Sequence, residues 1–251
     1  FLLALSAPAA AGDFLPVFNQ GSLARGYALP AVGAPRVLGA GKGAWYGAVD
    51  LSSEFYADSN LHETVLEDGE TTRVALTYAR GLGNGFDASV QLPVLVQGGG
   101  FMDHSIEHWH SIFGLPNGGR EHAPHNQYLY RYVRDGVTVL DVDDSGTRLG
   151  DLQLAGGWQW QPELALRAML KLPTGSKAEL AGGNAGLALW ADYALPLGAL
   201  PGVSGYLSGG VSLNGSSGPL PDLRNRFIGL GGGGLAWQAL SRLQLVGQMY
   251  F

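Results

Sequence analysis

Five of the chain's six histidines fall between Phe101 and Tyr128, in FMDHSIEHWHSIFGLPNGGREHAPHNQY, beside Asp103, Glu107, Arg120 and Glu121. Imidazoles bind divalent metals, move protons near neutral pH and hydrogen-bond in either direction, so three chemistries are open. His104 and His108 stand at i and i+4, on one side of a helix, with Glu107 between them. That is two-thirds of a metal site without a third ligand of defined geometry. Ser105 or Ser111 with a histidine and an acid would make a hydrolase, although no strand-borne Ser, His and acid group stands out. The third reading is structural: the histidines, Arg120, His125 and Asn126 hydrogen-bond a folded loop to a polar wall.

Which reading holds depends on what carries the loop. Asp103–Phe113 places Ile106, Trp109, His110 and Phe113 at helical spacing, with His104, Glu107, His108 and Ser111 opposite, and so reads as a short amphipathic helix. Asp103 is its expected N-cap, and Gly114 with Pro116 ends it. The adjoining NQYLYRYVRDGVTVLDVDD, from Asn126, reads as a hairpin turning at Asp135-Gly136 that extends a wall and seats the helix.

The rest of the chain repeats every two residues. In ELALRAMLKL, Leu164, Leu166, Ala168, Leu170 and Leu172 share one face, while Glu163, Arg167 and Lys171 share the other. Leu152 to Trp160 repeats the pattern and joins it through Gln161-Pro162. Further strands are expected over 44–58, 72–81, 85–97, 185–196, 203–214, 226–237 and 242–251. Connections alternate in length: short at GNG, QPE, LGALPG and ALS, long over 59–71, 98–147, 174–184 and 215–225. A soluble β-sandwich would show the same alternation, but not this loop pattern, which is that of an outer-membrane barrel. Trp45, Tyr78, Phe86, Trp158, Trp160, Tyr193 and Trp237 fall on the apolar parity at the short-turn ends, and Phe55, Phe227 and Phe251 at the others, as interfacial belts do.

Composition agrees with this class. The 251 residues include 40 glycines, 46% hydrophobic residues and only 14% charged ones, too much glycine for a helical core. No apolar run reaches the roughly 20 residues of a spanning helix. A net charge of -6 with no basic cluster argues against nucleic acid, and the lack of cysteine removes disulfide and thiolate chemistry. FLLALSAPAAAG at the start reads as the end of a secretory signal cleaved after Ala11, with an apolar strand as the other reading.

The expected fold is thus all-β, an antiparallel transmembrane outer-membrane barrel of about 10 to 12 strands when complete. Residues 1–11 are the signal remnant, 12–43 a periplasmic or lumenal segment, and 44–251 the barrel with the insert 98–147. Nine strands need a partner at the far edge, so further C-terminal strands are expected, with a ten-strand barrel using an N-terminal strand as the other possibility. Gly231 to Gly234 permits a bulge or slip in the eighth strand.

Several segments carry a resemblance: PVFNQGSLARGYALP, LEDGETTRVALTYARGLG, GGGFMDHSIEHWHSIFGLPNGGREHAPHN, LGDLQLAGGWQW and LRAMLKLPTG. Together the chain resembles the Gram-negative outer-membrane family labelled domain of unknown function 3187. The His-rich loop is the most specific part, whereas KLPTG recurs in many outer-membrane barrels. The resemblance implies a longer C-terminus and no established activity.

With the apolar positions outward, the lumen receives Asp50, Glu54, Asp58, Arg73, Asp87, Gln91, Asp151, Gln153, Arg167, Lys171, Asp192 and Gln248. These charges either fill the interior by pairing or line a narrow solute path. The expected function is a pore or channel for small solutes, gated by the loop through His104, Glu107, His108, Trp109, Phe113, Arg120 and His125. A non-transporting structural or adhesive barrel is the alternative, and an outer-membrane lipid hydrolase the third reading. Expected partners are outer-membrane lipid and lipopolysaccharide, the outer-membrane assembly machinery and small solutes. No cofactor and no nucleic acid are expected.

Overall fold

The structure, a computed structural model, describes residues 14–241 and 243–251. The signal remnant expected over residues 1–11 lies outside the described residues.

Long alternating segments form the strands because one apolar face and one polar face suit a sheet with different surroundings on its two sides. In chain order these are β1 (Gly43–Ser59), β2 (Glu63–Gly83), β3 (Phe86–Gly98), β4 (Leu129–Arg134), β5 (Val137–Val142), β6 (Gly146–Leu149), β7 (Leu152–Gln161), β8 (Leu164–Leu172), β9 (Gly186–Ala194), β10 (Val203–Asn214), β11 (Phe227–Leu240) and β12 (Leu243–Tyr250). One helix, α1 (Asp103–Phe113), stands between β3 and β4. Every pairing is antiparallel, and the sheet curls into a half-barrel. β1 pairs only with β2, and β12 only with β11, so both stand at free edges of the described sheet.

The short connections fall where the alternation puts them, at one end of the half-barrel. The long-loop end differs in one respect. Residues 59–71, expected as a loop, are mostly strand: β1 and β2 run on in register to Ser59↔Thr64, leaving a turn of three residues. The polar residues from Glu63 to Thr71 look loop-like in sequence, but each is held in a ladder. β4 takes over from β3 as the partner of β2 above Gly98, pairing Asp68↔Leu129 through Glu63↔Arg134. The hairpin therefore extends the wall, turning at Asp135 and Gly136. Both turn residues have positive φ, as a tight hairpin turn matched to strand twist requires.

Facing follows the two-residue period. Val49, Val74, Leu76, Val90, Leu92, Leu154, Leu170, Leu189, Leu207 and Leu235 are exposed on the convex side. Asp50, Arg73, Asp151, Lys171 and Asp192 are buried on the concave side. Trp45, Phe86, Trp158, Trp160, Tyr193 and Trp237 are exposed along the short-turn rim, where Trp45 packs on Tyr78 and Phe86 stacks on Trp158. β11 keeps its facing through the glycine run, and the ladder to β10 is unbroken there. The irregularity lies instead between Gln238 and Leu240, opposite β12.

The concave side is not empty. Residues 14–42, which contain one 3-10 turn at Ala24–Gly26 and no strand, thread through it as a strap. Ala28 and Val32 of the strap pack with Met169, Ala188, Trp190, Tyr206 and Leu230 of the wall as one buried cluster. A Cβ on Gly232 would stand 2.8 Å from the Val32 side chain, so the glycine gives the strap its clearance.

Candidate functional site

A strap without ladder partners must satisfy its backbone some other way, and inward polar side chains of the wall do this. Gln248 on β12 accepts the Leu15 N–H at 2.7 Å and donates to the Leu15 carbonyl. Glu54 on β1 accepts the Ser22 N–H at 2.8 Å and its hydroxyl at 2.5 Å. Asn214 on β10 takes the Ala28 N–H, Asp192 on β9 the Gly33 N–H, Gln159 on β7 the Val37 N–H and Asp87 on β3 the Leu38 N–H. Arg167 on β8 donates to the carbonyls of Ala34 and Arg36. The strap thus climbs to the long-loop end at Ser22 to Gly26 and descends to the short-turn end at Leu38.

Of the inward charges expected from sequence, Glu54, Asp87, Arg167 and Asp192 hold the strap. Asp50 pairs with Arg73 at 2.6 Å, and Arg73 also reaches Gln91 and lies over the Phe18 ring. Lys171 is hydrogen-bonded to Asp151 and donates to the Asn184 carbonyl at 3.0 Å. Asp151 in turn accepts the backbone N–H groups of Gly175 and Gly183. Asp58 corrects the sequence reading: it is exposed beyond the enclosed part of the wall.

Between strap and wall, Phe18, Gln20, Arg25, Arg73, Asp151, Gln153 and Lys171 enclose about 30 Å³, room for ordered water but not for an organic solute. A larger recess of about 310 Å³ opens at the long-loop end, bordered by Leu23, Tyr27, Glu67, Tyr130, Tyr132 and Arg224. Its floor is tied down at Ser22, whose hydroxyl meets the Tyr130 phenol at 2.8 Å. Burial, with the Glu54 charge beside it, pushes the Tyr130 phenol far up. Burial also lowers Arg25, against the opposing pull of Glu54.

The His-rich loop lies elsewhere. Glu70 and Asp68 share the outward parity of Val74 and Leu76 on β2, opposite to Arg73 and Thr71. Glu70 accepts the N–H groups of Phe101 and Met102 at 2.9 and 2.5 Å. Arg120 is hydrogen-bonded to Asp103 and lies over the Phe55 ring, again on the outward side of β1. The loop is therefore fastened to the outside of the wall at the long-loop rim, not across the lumen.

Asp103 is the first helical residue rather than the N-cap. Met102 occupies that position without a side-chain cap bond, and the Asp103 carboxylate instead takes Arg120 and the Asn126 N–H. Glu107 meets His125 at 3.0 Å, and His110 meets Asn117 at 3.0 Å. His104 and His108 are both exposed on α1. No group of three His, Cys, Asp or Glu that could hold a metal ion occurs among the described residues. Ser105 and Ser111 are exposed on α1 and make no hydrogen bond to a histidine. Trp109 and Phe113 pack ring on ring at 4.3 Å and remain exposed, against the expectation that the apolar stripe is buried at the mouth.

Sequence reasoning missed the strap's anchors Ser22, Gln159 and Asn214, and the loop's anchor Glu70 with Asp68 beside it. Two acids on the apolar parity of a strand would have flagged Asp68 and Glu70, had residues 59–71 been read as strand. Neither the comparison with curated proteins nor that with solved structures gives a match. A family model described as a protein of unknown function, DUF3187, matches residues 2–251. With nearly its whole length matched, the chain belongs to the DUF3187 family.

Proposed function

We propose that the chain forms the wall of an outer-membrane β-barrel whose lumen is closed by its own strap, and that small solutes pass only when the strap yields. One observation carries this reading: an apolar convex face with an aromatic rim encloses a charged concave face, and residues 14–42 fill that concave face. The strap is held chiefly by hydrogen bonds from side chains to its backbone, together with two small apolar clusters, one taking Ala28 and Val32 and the other Leu23. Such bonds exchange readily with water, which would wet the lumen on displacement. The His-rich loop sits outside the wall, so in this reading the strap rather than the loop governs passage.

A non-transporting structural barrel is the second reading. It is favoured by the spread of strap anchors over β1, β3, β7, β8, β9, β10 and β12, which makes the strap an internal brace. Planar-bilayer conductance separates the two. The full-length protein should conduct little, and deletion of residues 14–38 should open steady ion conductance. If the deleted form inserts folded and stays closed, passage is rejected in favour of the brace.

A further inference from the structure

The apolar edge of α1 has no place in the lumen reading. Trp109, Ile112 and Phe113 are 47%, 62% and 57% exposed, and Phe101 before the helix is 71% exposed. At helical spacing the three fall on one side of α1. Another side of α1 is engaged by polar partners: Asp103 with Arg120 and Asn126, Glu107 with His125, His110 with Asn117. Entry to the helix is clamped by Glu70. These bonds fix the rotation of α1, so its apolar edge is held outward rather than left to find a core.

The position of the clamp says what that edge meets. Glu70 pairs with Gly98, two residues along the strands from Thr72↔Val96 and four from Val74↔Val94. Val74 and Val96 belong to the exposed apolar face of the wall. Two residues of strand are about 7 Å, so the clamp sits just above the apolar band and on the same side of the sheet. Trp and Phe beside such a band suit the level of lipid headgroups, where an apolar body and a polar edge are both accommodated.

We propose that α1 is a membrane-interface anchor: its Trp109, Ile112 and Phe113 edge enters the lipid surface beside the wall, while His104 stays in water. This rests on the reading of the wall as membrane-embedded. An amphipathic helix of this kind sinks about 5 to 10 Å into the boundary between headgroups and acyl chains.

The chain has no cysteine, so single cysteines report position without background. Ile112→Cys, His104→Cys and Leu170→Cys variants of the full-length protein, each labelled with an environment-sensitive fluorophore, are reconstituted in phosphatidylethanolamine and phosphatidylglycerol vesicles. Quenching by nitroxide on the acyl chains near the glycerol is then compared with quenching by aqueous iodide. The proposal expects Ile112 and Leu170 to be quenched several-fold more by the lipid nitroxide, and His104 by iodide. Lipid quenching at Leu170 with iodide quenching at Ile112 overturns the anchor and leaves the embedded wall standing. Ile112 shielded from both quenchers means that protein covers it, which also overturns the anchor. Iodide quenching at Leu170 and Ile112 alike overturns the embedded wall and the anchor with it.

Discussion

Asp192 on β9 accepts the backbone N–H of Gly33 at 2.9 Å, joining the wall to the strap across the half-barrel. The same carboxylate takes the Trp190 indole N–H at 3.0 Å and the Ser208 hydroxyl, and stands 3.4 Å from Arg167. Asp192 is fully buried, so its removal leaves donors with no water to turn to. Asp192→Ala is expected to destabilise the fold by about 2 to 3 kcal/mol, measured by urea unfolding in vesicles. Proteolysis within residues 14–38 should quicken in the same variant.

Leu170 tests the facing of the wall, because it is exposed on the convex side of β8. In a bilayer an arginine there is expected to cost about 2 to 4 kcal/mol. If that face met water, Leu170→Arg would fall within about 0.5 kcal/mol of the parent. Equilibrium unfolding of both proteins in the same vesicles distinguishes the outcomes.

Trp109 and Phe113 lie outside the wall, so replacing both with alanine should leave conductance unchanged and the barrel folded. Increased conductance in this double variant would return the loop to the role of gate. Reduced retention of the isolated protein on lipid vesicles is not expected either, since the wall supplies most of the apolar area.

Asp68 sets a pH dependence for the docking of the loop. It lies where β2 pairs with β4, beyond the apolar band, and burial together with the Asp103 charge raises it to about 6, against the pull of Arg120. The folded form holds this proton more tightly than the unfolded form, so the contribution of Asp68 to docking is fully present below about pH 4, the ordinary carboxylate range, and is lost as pH rises through about 6. Asp68→Asn should remove that loss, slowing loop opening at pH 7 by roughly tenfold or more in hydrogen exchange of residues 99–126. The His125 and Glu107 pair is common to both proteins, and so the difference between them isolates Asp68.

The alternation of Leu164, Leu166 and Leu170 against Arg167 and Lys171 determined the strand and its two faces, because side chains in a strand point to opposite sides whatever they later touch. The turn at Asp135-Gly136 was legible for a similar reason: its backbone conformation is a property of those two residues. Nothing local distinguishes the ladder of residues 59–71 from a polar loop, since its strands are held by partners as distant as β4. Glycine, proline and scattered apolar residues in 14–42 gave no period, and only the wall's Glu54, Asp192 and Asn214 turn that segment into a strap through the lumen. The amphipathic spacing of α1 was plain, but the side of the wall on which it rests was decided by Glu70, a carboxylate whose outward facing depends on a register set across the whole of β1 and β2.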